Sequence, residues 1–224
     1  MKQFIKESSA GQPPEPTHFH PRILPELEGL YAALRPTLEA KRPFIYLGAS
    51  GQGDGVSTVS WALAYYLAMR ESEECLFVDG DIIRPTIRNT SGLPDYGLSE
   101  YLRGDIDFRL LPFATELRDL AAVHAGHQPR SFVRLAEERA DTFVAESTRF
   151  YRAVVFNGRP GFDKYVELWA RRSDAVLLLA SYRRTKREIL LQALRGFKSA
   201  GVPITGLIFN KQEYPIPDFL YRRL

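Results

Sequence analysis

Cysteine is almost missing from this chain. Cys75 is the single cysteine among 224 residues, which excludes an internal disulfide and any cysteine-based zinc site. Its place in the apolar run Cys75–Val78 marks it as buried filler rather than a reactive thiol. Long hydrophobic runs are missing too. No apolar stretch approaches the roughly 18 residues of a membrane span and no secretory-signal pattern is present, so the expectation is a cytoplasmic protein that does not insert into a membrane directly. One-sided charge is also lacking. The formal net charge is +3, and a pI near 9.0 does not by itself argue for nucleic acid. The basic residues are local instead: Arg171 and Arg172, then Arg183, Arg184, Lys186 and Arg187, then Arg222 and Arg223. They read as solvated helix ends and faces, with an acidic partner or a membrane-proximal surface as the alternative. Histidine is scarce, and the pair near the middle, His124 and His127, has no third ligand in view. It reads as a surface loop rather than a metal site.

What is present is an ordinary globular composition, 45% apolar and 25% charged, on a chain long enough for one sizeable core. Residues 1–22, rich in proline and small polar residues, read as a flexible arm; 23–212 read as one domain, and 213–224 as a tail. Leu24–Leu38 carries leucines at helical spacing, with Pro36 expected to kink or end that helix. Apolar runs at 44–49, 75–79, 109–113, 153–157, 175–181 and 204–210 are the expected strands. Helical patterns lie between them, near 57–70, 97–103, 130–150, 162–172 and 185–200. Apolar strands alternating with helices predict a single-domain α/β fold: a doubly wound, mostly parallel sheet covered on both faces. Ligands of such sheets bind at the carboxyl ends of the strands.

Three such ends carry candidate chemistry. The run from Phe44 to Thr58 is an apolar strand, a glycine-rich turn containing Gly53 and Gly55, and a hydroxyl pair, Ser57 and Thr58, opening a helix. That is the layout of a phosphate-binding loop, with backbone N–H groups aimed at phosphate oxygens at the positive end of a helix. In a working loop a lysine follows the last glycine and the hydroxyl holds Mg²⁺; here Val56 stands where the lysine belongs. The second end, Cys75–Pro85, finishes a strand with Asp79 and Asp81 on alternate positions, followed by Arg84. Two carboxylates facing the same way can share a metal ion or a water. The third, Tyr151–Pro160, has Asn157 where a nucleotide-hydrolysing fold would place an aspartate. Asparagine keeps the shape and one acceptor but loses the charge and cannot act as a base.

Together these segments resemble the bacterial tyrosine kinases of polysaccharide biosynthesis (BY-kinases of the CpsD/CapB type), a P-loop family related to the ParA and MinD ATPases. The most specific segment is Val78-Asp79-Gly-Asp81-Ile-Ile-Arg84-Pro85, followed by the Gly97-Leu98-Ser99 to Leu102-Arg-Gly104 stretch. Gly201–Lys211 is similar to the family's last strand, and Leu30–Leu38 to its ring-forming helix. The resemblance implies that Gly53, Gly55, Ser57 and Thr58 hold phosphate, that Asp79, Asp81 and Ser57 hold Mg²⁺, and that Asn210 lies beside the base. It also implies a cytoplasmic protein peripheral to the inner membrane, working with a polysaccharide co-polymerase that determines chain length, and self-associating in rings. Tyrosines in the tail are phospho-acceptors in the family, which makes Tyr214 and Tyr221 the candidates here.

The departures lie at the chemistry. Val56, Asn157 and Asp81 are vestiges of a catalytic set, and the ring helix keeps only Arg35 of its charged motif, with Gly29 and Ala32 at the other positions and Glu28 one residue early. The reading is therefore a catalytically degenerate, tyrosine-kinase-like pseudoenzyme. It would regulate or scaffold synthesis and export of a capsule, exopolysaccharide or holdfast-type polymer, holding Mg·ATP or Mg·ADP weakly or no cofactor at all. The rival is a slow ATPase or tyrosine autokinase with a substitute cation, Arg159 or Lys211. A further alternative is a ParA/MinD-like positioning ATPase.

Overall fold

The computed structural model describes residues 23–71, 74–87, 93–127 and 132–211. The N-terminal arm, the tail, and Tyr214 and Tyr221 lie outside the described residues. The sheet has seven strands: β1 (Phe44–Ala49), β2 (Cys75–Asp79), β3 (Phe113–Ala114), β4 (Leu120–Val123), β5 (Ala153–Pro160), β6 (Ala175–Ser181) and β7 (Gly206–Asn210). Their spatial order is β3-β4-β2-β5-β1-β6-β7. Every neighbouring pair is parallel except β3 with β4. Strands β1, β2 and β6 are buried at every residue, which is why they read as unbroken apolar runs rather than alternations.

Period-two alternation divides each strand between two cores. Ile45, Leu47, Phe77, Val155 and Leu179 pack against α1 (Ile23–Ala40) and α2 (Val56–Glu71). Phe44, Tyr46, Val78, Phe156 and Leu178 face α3 (Leu98–Arg103), α4 (Phe132–Phe150), α5 (Lys164–Ala170) and α6 (Arg187–Ser199). The second core is aromatic. Phe44 and Phe156 both stack on Trp169, at 6.2 and 4.5 Å between ring centroids, and Tyr46 stacks on Phe156 at 5.9 Å.

One expectation about the elements is narrowed and another needs correction. Pro36 does not end α1, which continues to Ala40. Pro36 and Ala32, whose carbonyl loses its partner to the proline ring, are both exposed, so water replaces the missing hydrogen bond. The expected strand at 109–113 is a 3-10 turn, Phe108–Leu110, followed by the two-residue β3. The Asp107 carboxylate accepts the Arg109 N–H, and Phe108 and Leu111 go inside while Leu110 stays 65% exposed. That spacing of three is helical. The real strand there, β4, is short and alanine-rich, and the sequence reading missed it.

Tyr46 leans along β1 toward the carboxyl end of the sheet. It occupies the space beside Gly48 and Gly158, where a Cβ would come within 2.8 Å and 2.2 Å of its ring. Replacing Gly158 with alanine should therefore overpack the stack and cost about 1–3 kcal/mol. Urea denaturation of that variant measures it; an unchanged midpoint would refute the packing account.

Candidate nucleotide site

The carboxyl ends of β1, β2, β5, β6 and β7 bring together the loops at 50–55, 80–87 and 157–161 and the turns at 181–185 and 210–211. In the candidate phosphate loop, Gly53 (φ +77) and Gly55 (φ +93) take the left-handed backbone that only glycine adopts without strain. Between them Asp54 points inward and is 4% exposed. One of its carboxylate oxygens accepts the Gly51 N–H (2.8 Å) and the Ser50 hydroxyl (3.0 Å); the other accepts the Thr185 hydroxyl (2.6 Å) and the Ser181 N–H (3.2 Å). The loop is thus pinned to the end of β6 by a charge of its own. Asn210, expected beside the base, donates to the Asp54 carbonyl at 2.8 Å, and the Lys211 ammonium donates to the Gly53 carbonyl. One of the two candidate substitute cations therefore sits on the loop.

Val56, the first residue of α2, is 8% exposed and belongs to the apolar core under α1 and α2. The position where the resemblance expects a phosphate-seeking ammonium is part of the packing. Ser57 and Thr58 are half-buried on the first turn of α2.

Asn157 is the hub of the site and is fully buried. Its carbonyl oxygen accepts the Ser60 hydroxyl at 3.0 Å. Its amide nitrogen faces Asp79 Oδ1 at 3.0 Å, Thr86 Oγ1 at 3.1 Å and Ser57 Oγ at 3.3 Å. The other Asp79 oxygen accepts the backbone N–H groups of Thr86 (2.6 Å) and Ile87 (2.9 Å). The Thr86 hydroxyl donates to Ser57 Oγ at 2.8 Å and closes the ring. Burial pushes the Asp79 carboxyl up to about 7, against the pull of these donors.

Asp81 has a different set of partners. It accepts the Ile83 (3.2 Å) and Arg84 (3.1 Å) N–H groups, and burial raises its pKa while Arg159 and Arg84 oppose the rise. The two aspartates that the sequence places on alternate positions thus split between a sealed network and the wall of an open cleft. Among the described residues, no cluster of three or more His, Cys, Asp or Glu side chains could hold a metal on protein ligands alone. The groups left for a Mg·nucleotide are the backbone cradle from Gly53 to Thr58, the Ser57 hydroxyl and Asp81. Sequence reasoning missed Asp54, Ser60 and Thr86. Only Asp54 carried a signal, a charged residue inside a glycine turn.

The two histidines do not share a surface loop. His124 is buried, with one ring nitrogen 2.9 Å from the Pro94 carbonyl and the other accepting the Gly126 N–H at 3.1 Å. His127 is exposed and contacts Glu100. Cys75 is buried, as expected.

The same architecture occurs in the solved structure of the chimeric protein CapA2B2, which superposes with a TM-score of 0.78 over 87% of each chain at 21% identity. The kinase domain of the Escherichia coli tyrosine kinase Etk superposes at 0.72, at 19% identity over 85% of this chain and 76% of that one. The fold is that of the bacterial tyrosine-kinase domains. MinD from Pyrococcus horikoshii, solved with Mg·ADP, shares the tyrosine-kinase fold's P-loop core at a TM-score of 0.63 and 17% identity, over 81% of this chain and 76% of that one. No protein-family model matches the sequence, and no curated protein sequence matches it either. Val56 opens the helix that follows the glycine loop, and Asn157 lies on β5, paired with Leu47 of the strand that leads into it. Among the described residues, no helix is long and apolar enough to cross a membrane.

Proposed function

We propose that this chain is a catalytically degenerate P-loop protein of the tyrosine-kinase type that regulates or scaffolds the synthesis and export of an extracellular polysaccharide. It works in the cytoplasm, at the inner membrane, through a chain-length-determining membrane protein. The observation that carries the reading is the Asn157 amide donating to Asp79. Phosphoryl transfer needs negative charge at these positions to hold Mg²⁺ and orient the attacking group, and a cation beside the transferred phosphate. Here a neutral amide satisfies the carboxylate, and the cation's position is filled by a core valine. Each such loss costs on the order of 10²–10³ in rate, although groups acting as a unit do not add simply. What the fold retains is its surfaces. Nucleotide, held by the Gly53–Thr58 cradle with Ser57 and Asp81 around the metal, is at most a structural ligand; Asp79, which the sequence also offers to the metal, is taken up by Asn157 and the backbone of Thr86 and Ile87.

The test is equilibrium binding of Mg·ATP and Mg·ADP beside a Ser57→Ala control, followed by recovery of the tagged protein from membranes containing a chain-length protein. Millimolar or weaker nucleotide binding together with specific recovery is expected. Efficient ATP turnover, or failure to associate with any polysaccharide-assembly membrane protein, would sink the proposal. The contact of Lys211 with the phosphate loop favours a second reading, a slow autokinase using that lysine, with Tyr214 or Tyr221 as acceptor. Phosphotyrosine on the purified protein that disappears in Asp81→Ala would establish it.

A further inference from the structure

The basic run Arg183, Arg184, Lys186 and Arg187 occupies the turn that joins β6 to α6 and the first residue of that helix, and all four residues are exposed. Between residues 182 and 199 the chain carries six lysines and arginines against one acid, Glu188, whereas the whole chain has a net charge of only +3. The turn is held in place. The Tyr182 N–H donates to the Asn210 carbonyl at 2.8 Å, the Arg184 and Thr185 N–H groups donate to the Ser181 carbonyl, and the Thr185 hydroxyl donates to Asp54. Arg183, at φ +57, lays its guanidinium over the Tyr182 ring at 5.3 Å. A cation and an aromatic ring are thus presented together.

Apolar side chains accompany the charge. Of the eight large apolar residues that stay exposed among the described residues, four belong to this β6–α6–β7 end of the sheet: Tyr182, Ile189, Leu207 and Phe209, between 37% and 55% exposed. β7 is the terminal strand of the sheet. Leu207 lies in register with Leu178 and Phe209 with Ala180, which puts both on the face that α6 shares, while Ile208 between them packs into the other core. Ile189, in the first turn of α6, stays outside although Ala193 and Phe197, one and two turns on, are buried. Apolar side chains exposed singly are ordinary, but a group gathered at one corner and rimmed by charge of one sign marks a docking surface.

We propose that this corner docks directly on an anionic lipid surface, with the cations against the headgroups and Phe209, Leu207, Ile189 and Tyr182 at the boundary with the acyl chains. Charge decides against a second copy, because a symmetric contact would set two basic surfaces face to face. The mixture of cations with exposed aromatic and aliphatic side chains favours lipid over an acidic protein. Rings and stems settle at the interface while the charged heads meet phosphate. Such a contact lies on the membrane without crossing it. The inference does not rest on the proposed function, in which the membrane is reached through a protein; protein-free vesicles separate the two.

Cosedimentation of the full chain with vesicles of phosphatidylcholine, pure or carrying roughly a third phosphatidylglycerol, tests it. Four proteins are compared: wild type, the double variant Arg183→Asn with Arg187→Gln, Phe209→Thr, and Arg134→Gln. Asparagine tolerates the left-handed backbone at 183 and threonine suits an edge strand, so these changes spare the fold. Arg134, exposed on α4, is the control for charge elsewhere. Wild type should bind only the anionic vesicles at about 0.1 M salt and leave them at about 0.5 M. At about fivefold per cation, the double variant should bind about 25-fold more weakly. Phe209→Thr should lose about tenfold, and Arg134→Gln should match the wild type. No binding to anionic vesicles at millimolar lipid overturns the proposal and leaves the basic run to an acidic protein. Binding that ignores Phe209→Thr, or that falls as much in Arg134→Gln as in the double variant, overturns it too, since charge alone would then account for the contact.

Discussion

Changing Asn157 to aspartate should cost about 3–5 kcal/mol of stability at pH 8 without divalent cations, the penalty of an uncompensated buried charge. The amide nitrogen lies 3.0 Å from Asp79 Oδ1, and both residues are fully buried. Aspartate would turn that donor–acceptor contact into two carboxylate oxygens facing each other, and it would withdraw the N–H shared with Thr86 and Ser57. For a protein of this length the loss corresponds to roughly 6–20 °C in melting temperature. Two conditions should relieve it. Below about pH 6 a shared proton can bridge the pair, as in other carboxylate dyads, and millimolar Mg²⁺ can neutralise it from the Ser57 side. Thermal melts at pH 8 and pH 5.5, with and without Mg²⁺, measure all three effects. A variant as stable as the wild type at pH 8 would show that the amide is not what satisfies Asp79.

Lowering the pH from 7 toward 4 should stabilise the native protein through Asp79, the reverse of the usual carboxylate behaviour. Burial raises its pKa from the ordinary 3.8 to about 7. Between those values the folded state therefore binds more protons than the unfolded state, and stability falls as pH rises. The contribution is fully present below about pH 4 and lost by pH 7, and the displacement corresponds to about 4 kcal/mol. Asp81, also raised, acts in the same sense. Glu100 and Asp141, whose carboxyls are held below the ordinary range, act oppositely and lose their contribution as pH falls. The measurement is the difference in unfolding free energy between wild type and Asp79→Asn across pH 4–8. A wild-type advantage that grows toward low pH is expected; a pH-independent difference would mean that Asp79 is ionised throughout.

The glycine turn and the helix it opens were legible because their requirements are local. Glycines at positive φ and a hydroxyl pair opening a helix are demands of a few consecutive residues, and Gly53, Gly55, Ser57 and Thr58 stand where they were expected. The apolar strands were legible because burial on both faces leaves no alternation to misread. The short β4 and the 3-10 turn before it were not. Four residues of small apolar type carry no period, and only pairing with β2 makes them a strand.

By itself the sequence determined the doubly wound sheet, the strand ends that carry the candidate site, and the presence of Val56 and Asn157 where the resemblance expects lysine and aspartate. What surrounds those two residues was decided only in three dimensions. Asn157 meets Asp79 from 78 residues away, Asp54 reaches across to Ser181 and Thr185, Lys211 reaches the Gly53 carbonyl, and Arg159 lines a cleft with residues 50–52. No periodicity encodes such meetings. They arise because parallel strands bring distant carboxyl ends to one edge, where desolvation makes every unpaired donor and every neighbouring charge count for several times its weight in water.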